Sequence, residues 1–177
     1  MLVLALDSSA TASVALARID SDAPGASAEI LASYESEDTR SHAEVMAPYA
    51  AQVLADTGLD GAAVDAVLTG TGPGPFTGLR AGIMTARTLG FAWNKPVYGL
   101  MSLTAIVERA FADGTFRDSR TAANSGMNRA AVETLVASDA RRREIYYALF
   151  AVTENGYSLA AGPSVGSAHQ THAPASD

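Results

Sequence analysis

Apolar and polar positions change period near residue 40. Before that point, Leu2–Leu6 and Ser13–Ile19 (SVALARI) are short runs rich in Val, Leu and Ile. Asp7-Ser8-Ser9-Ala10-Thr11 lies between them, a composition that favours a turn. A third extended run, EILASYESE, follows a Ser/Asp/Pro/Gly stretch at 20–27. The pattern predicts a three-stranded meander.

A helical period then takes over. Ser41 and Glu44 fit a capping box, in which each side chain serves an orphan amide at a helix start. Val45, Met46, Tyr49, Val53 and Leu54 recur at helical spacing up to Thr57-Gly58, with Pro48 bending the first turn or delaying the start. Residues 63–69 (AVDAVLT) predict a strand, and Thr77–Trp93 a second helix that carries Leu79, Ile83, Leu89 and Trp93. A short strand follows at 97–100 and a third helix at 102–112. Residues 113–130 read as a loop or linker. Residues 132–138 and 144–152 read as two more strands, and the Gly/Ser/Ala/Pro-rich tail 156–177 as irregular.

LALD (4–7) followed by VALA (14–17) has the same plan as LVASD (135–139) followed by IYYALF (145–150). Both are strand, aspartate turn, strand. Three strands, a helix, a strand and a helix, then a restart, describe a duplicated α/β fold with a mixed sheet. The division expected is a first lobe at 1–112, a linker at 113–130 and a partial second lobe at 131–177, shortened or truncated.

Composition narrows the function classes. The chain has 177 residues, is 48% hydrophobic and 18% charged, and contains no cysteine. That removes disulfides, thiolate metal sites and a cysteine nucleophile. The net charge is −7 and Lys95 is the single lysine, a poor footprint for gripping a phosphate backbone unaided. The apolar run at Leu2–Leu6 is too short for a leader peptide's core and follows no positive residue, so the chain reads as cytoplasmic, with no membrane span.

The strongest local signal is Gly70-Thr71-Gly72-Pro73-Gly74-Pro75-Phe76-Thr77-Gly78-Leu79-Arg80, between a predicted strand and a predicted helix. Backbone amides at a helix start suit an anion. However, Leu79 stands where a Walker loop has Lys, and Pro73 and Pro75 remove donors that a pyrophosphate needs. A rigid strand-to-helix turn is the preferred reading. Gly78, Gly82, Ala86 and Gly90 then recur every four residues, a smooth stripe that either packs on the protein's own core or meets a partner helix. Asp7, Ser8 and Ser9 at one strand end, with Asp139 at its counterpart, form a candidate degenerate nucleotide site; local turn bonding is the alternative. Gly162-Pro163-Ser164-Val165-Gly166 matches a nucleophile elbow in letters but lacks a predicted strand before it and a helix after it. His169 and His172, in the same tail, have no nearby carboxylate to build a metal site. Arg141-Arg142-Arg143 is the one basic run; it reads either as a contact for RNA or an acidic partner or, preferred at a net charge of −7, as a solvated turn.

LALDSSATASVALA at 4–17, SHAEVMAP at 41–48, GPGPFTGLRAGIMTARTLG at 72–90, PVYGLMSLTA at 96–105 and DARRREIYYALF at 139–150 resemble the TsaB (YeaZ) family, also called glycoprotease-like. The resemblance implies an α/β fold of the ribonuclease H-like, actin-like ATPase class. It implies a non-catalytic subunit that binds the catalytic homologue TsaD and, with a TsaE-like ATPase, supports threonylcarbamoyl transfer to the adenosine beside the tRNA anticodon. On that reading tRNA is met only through the complex, and homodimers are possible. Catalytic relatives hold a metal with H-x-x-x-H. This chain has no such motif, and Ser102 and Ile106 stand at the comparable places. No catalytic residue, metal or resident cofactor is therefore expected, beyond weak or interface-dependent ATP or ADP. By the same analogy the first two helices form the partner contact, through His42, Glu44, Met46, Tyr49, Gly78, Gly82 and Thr85. An ATP-dependent small-molecule or acyl kinase of the same fold, using Asp7 and Asp139, is the alternative; a peptidase ranks last, since no nucleophile–base pair stands out.

Overall fold

The computed structural model describes residues 1–20, 28–37, 42–115, 131–153 and 156–167. The chain forms two compact units, Met1–Ser102 and Leu103 onward. The first contains β1 (Leu2–Asp7), β2 (Ser13–Ile19), β3 (Ala28–Glu35), α1 (His42–Thr57), β4 (Ala66–Gly70), α2 (Phe76–Trp93) and β5 (Val97–Leu100). Its sheet has the order β3-β2-β1-β4-β5. The meander strands pair antiparallel, and β1-β4-β5 run parallel.

Period-two alternation decides which face is covered. Leu4 pairs with Leu16 on one side and Val67 on the other, and Leu6 with Val14, so all five share a face. On that face they join Met46, Ala50, Val53 and Leu54 of α1 and Ala86 of α2 in one buried cluster. Burying each Leu there contributes about 1.5–3 kcal/mol. α1 lies against β2, β3 and α2, while α2 lies against β1, β4 and β5. Tyr34 of β3 stacks on Tyr49 of α1, with ring centroids 5.5 Å apart. Its hydroxyl donates to Asp56 Oδ2 at 2.6 Å, and Gln52 Nε2 donates to Oδ1 at 2.8 Å. These two bonds hold the Asp56 carboxyl below its usual range, the tyrosine bond most strongly.

α2 ends because Asn94 adopts a left-handed conformation (φ 55°), and Lys95 N–H returns to the Gly90 carbonyl at 2.8 Å. Pro48 lies inside α1, which nevertheless begins at His42, so the proline does not delay the helix. Ser41 of the expected capping box falls outside the described residues.

The second unit holds α3 (Ser102–Ala112, from Leu103 onward) and a sheet of β6 (Val132–Arg141), β7 (Glu144–Val152) and β8 (Tyr157–Ser167), in the order β6-β7-β8 and antiparallel. Two expectations change here. Residues 157–167 are not irregular: they form β8, because pairing along β7 organises a segment that has little period of its own. The first unit also stops at Ser102 rather than 112. The reason is packing: Phe111 meets Tyr157 edge-on at 6.2 Å, and the Tyr157 hydroxyl donates to Glu108, tying α3 to β8. Burial of the Tyr157 ring, followed by that bond, pushes its phenol up to about 12. Among the described residues, no helix is long and apolar enough to cross a membrane.

Candidate functional site

Two places in the first unit carry the residues singled out by sequence. One is the end of β1, beside the glycine-rich segment that joins β4 to α2. The Asp7 carboxylate accepts from Ser9 N–H and Ser9 Oγ through Oδ1, and from Ser102 Oγ at 2.7 Å through Oδ2. Ser8 is fully buried; its Oγ donates to the Gly78 carbonyl at 2.8 Å and accepts from Gly82 N–H at 3.2 Å. The glycines of the loop are small because protein presses against them. A Cβ on Gly70 would stand 2.0 Å from Asp7 Oδ2, and one on Gly74 would stand 2.5 Å from the Ser9 carbonyl. Ser102 N–H donates to the Gly72 carbonyl at 2.7 Å, and Thr71 N–H to the Leu100 carbonyl at 2.8 Å. This is a stitched strand-to-helix turn in which both Asp7 oxygens already have donors. Asp139 belongs to the other unit, where its Oδ1 accepts from Arg141 N–H at 2.9 Å.

The second place is the outer face of α1 and α2. Gly78, Gly82, Ala86 and Gly90 are the buried residues of α2. A Cβ on Gly82 would lie 2.3 Å from Ser8 Oγ, and one on Gly90 would lie 2.2 Å from Val97 Cγ2. The small stripe therefore lets α2 settle onto its own sheet, which corrects the expectation that Gly78 and Gly82 form an outer surface. Met46 is corrected likewise, since it is fully buried under α1. Glu44 is exposed; Tyr49 and Thr85 are half-buried. His42 opens α1, and its side chain lies outside the described residues.

The opposite side of α2 carries what the sequence reading passed over. Phe76, Met84 and Phe91 are 72%, 56% and 90% exposed. Arg80 and Arg87 fall between them and are also exposed, and the Arg80 guanidinium lies over the Phe76 ring, 4.8 Å from its centroid. Spacings of four, four, three and four place all five on one helical stripe. That spacing was available in the sequence. On the other side of α2 from the stripe, Ala47, Ala51, Leu54, Leu59, Leu89 and Trp93 line an apolar groove of about 400 Å³ between α1 and the C-terminal half of α2.

Of the remaining candidates, Gly162–Gly166 lies within β8, so no strand–turn–helix elbow exists there. His169 and His172 fall outside the described residues. Arg141, Arg142 and Arg143 form the exposed β6–β7 turn, all with positive φ.

A family model described as TsaD, tRNA N6-adenosine threonylcarbamoyltransferase, matches residues 29–173. The chain belongs to this family. Its named relatives include TsaB proteins, as the motifs indicated, and also tRNA N6-adenosine threonylcarbamoyltransferases. The TsaB protein of Haemophilus influenzae is 34% identical over 108 residues, 61% of this chain and 39% of that protein. An uncharacterised Mycobacterium tuberculosis protein (strain H37Rv) is 43% identical over 113 residues, 64% of this chain and 44% of that protein. The solved structure of YeaZ from Pseudomonas aeruginosa superposes with a TM-score of 0.69 at 29% identity, covering 98% of this chain and 70% of that one. The mixed sheet flanked by helices is thus the ribonuclease H-like, actin-like arrangement expected. The chain spans less than half the length of these two curated relatives.

Proposed function

We propose that this TsaB-type chain serves tRNA threonylcarbamoyladenosine biosynthesis as a non-catalytic subunit that binds a catalytic TsaD-type homologue through α1 and α2. The observation that carries this reading is the exposed Phe76–Arg80–Met84–Arg87–Phe91 stripe along one face of α2. Exposed aromatic, Met and Arg side chains together on one helix face are the composition of interface hot spots. Three large apolar side chains exposed together on one helix face, Phe76, Met84 and Phe91, mark an interaction surface rather than scattered surface residues. The three hydrogen bonds that the Asp7 carboxylate accepts within the fold support a structural role for the β1 end over metal or phosphate chemistry. A TsaE-like ATPase and tRNA join on this reading through the complex rather than through this chain alone.

The test is capture of a TsaD-type homologue by the tagged chain. Met84→Asp and Phe91→Asp each lower capture at least tenfold, equivalent to about 1.4 kcal/mol or more. Thr57→Ser, away from the stripe, leaves capture unchanged. Undiminished capture by the double variant overturns the assignment.

A further inference from the structure

We infer that the β6–β7 turn, Arg141-Arg142-Arg143, is a phosphate-contact site through which this chain touches the RNA backbone within its complex. The inference rests on the functional reading above, which supplies the RNA, and it gives this chain a contact of its own. Arg142 and Arg143 are the two central residues of the turn, since Arg141 pairs with Glu144. All three arginines have left-handed backbones, with φ of 64°, 52° and 67°. Among the described residues, Asn94 is the only other non-glycine position with positive φ. A Cβ crowds the backbone in that region, so a two-residue turn of this kind favours Asn-Gly. Three arginines in succession run against that preference, and a residue that breaks a local rule without a packing gain points to function.

The fold makes no visible use of the three side chains. All are exposed. Among the described residues, Arg18 and Arg109 pair with carboxylates, whereas the turn arginines do not. Asp139 Oδ1 accepts from the Arg141 N–H at 2.9 Å, a bond to the backbone and not to a guanidinium. With Asp139 and Glu144 flanking the run, the tip keeps a net positive charge in a chain of net −7.

Chemistry selects the ligand. A guanidinium is planar, always charged and donates paired N–H groups to phosphate oxygens. A protein partner would want a desolvated apolar anchor as well. Residues 137–144 read ASDARRRE and offer no large apolar side chain, and β8 brings only Gly166 and Ser167 alongside Ile145 and Glu144. Contacts to a phosphate backbone need charge and no such anchor. The acidity of the chain is also unevenly placed. Seven of the twelve basic residues and eight of the nineteen acidic ones fall in the second unit, Leu103–Asp177, so the excess negative charge lies mainly in the first.

The test uses the full chain bound to a TsaD-type homologue, with an unmodified tRNA transcript as probe and fluorescence anisotropy read across a salt series. Arg142→Asn with Arg143→Gly is expected to weaken tRNA binding about tenfold at low salt, and to reduce the slope of log affinity against log salt by about two. The denaturant midpoint of the same variant does not fall, so the lost affinity is not lost folding. Arg142→Lys with Arg143→Lys keeps the charge and therefore the salt slope. Unchanged affinity and slope in the Asn-Gly variant overturn the inference. So does a variant that loses the homologue but keeps tRNA, which would make the turn a protein contact. A chain that captures no homologue defeats the functional reading separately. The same comparison on the chain alone at low salt then decides this inference, and equal binding by both forms, or none by the wild type, overturns it.

Discussion

Gly82 shows what a single missing side chain does in this protein. Its N–H reaches Ser8 Oγ, and a methyl group there would collide with the same atom at 2.3 Å. Gly82→Ala is therefore expected to lower stability by about 1–3 kcal/mol, the range for overpacking a closed site. Thermal denaturation measures this, and adding Ser8→Ala recovers part of the loss because the colliding oxygen is gone. A periodic row of glycines reads equally as a core contact or as a partner contact. Only the location of Ser8, seventy-four residues away in the chain, separates the two.

Tyr157 gives a second residue-scale expectation. Its phenol titrates near 12 in the folded protein, against about 10 in an unfolded chain. The folded value is raised, so the contribution to stability is complete below pH ~10 and is lost as pH climbs toward 12. Phenolate absorbance of the wild type minus that of Tyr157→Phe should show this step displaced to the alkaline side. A step at the ordinary tyrosine value would mean that burial and Glu108 do not act on it.

Among the elements, the β6–β7 hairpin is the one most at odds with local preference. Arg142 and Arg143 occupy its two-residue turn with φ of 52° and 67°, and Arg141 before them has 64°. Two-residue hairpin turns with both φ positive favour Asn-Gly, since a Cβ crowds the backbone in that region. The double substitution Arg142→Asn and Arg143→Gly should raise stability by about 1 kcal/mol, read as a higher denaturant midpoint with an unchanged slope. The turn itself was legible from the charged run between two apolar ones. β1, β2, β3, α2 and β5 were also legible, since each has a strong period bounded by turn or breaker residues. β8 was not, because a Gly/Ser/Ala strand at a sheet edge carries no alternation and is defined by its neighbour β7.

On the scale of the whole molecule, the helix face proposed for partner binding and the helix face that holds the fold are opposite sides of α2. This separates two phenotypes. Met84→Asp and Phe91→Asp are expected to keep the wild-type melting temperature while losing capture, since both side chains are exposed. Gly82→Ala is expected to lose stability. A fall in melting temperature for the α2 stripe variants would show that the stripe packs within the chain.

By itself the sequence determined the element order as far as β7 and the repeated strand–aspartate–strand plan, because hydrophobic period and turn chemistry are local and survive in one dimension, and its motifs determined the family. The role of each small or polar residue was settled only in three dimensions. Whether Gly78 and Gly82 face inward and whether the Asp7 oxygens have donors both depend on groups distant along the chain. Burial and hydrogen bonding are properties of the packed neighbourhood, and tertiary structure alone supplies it.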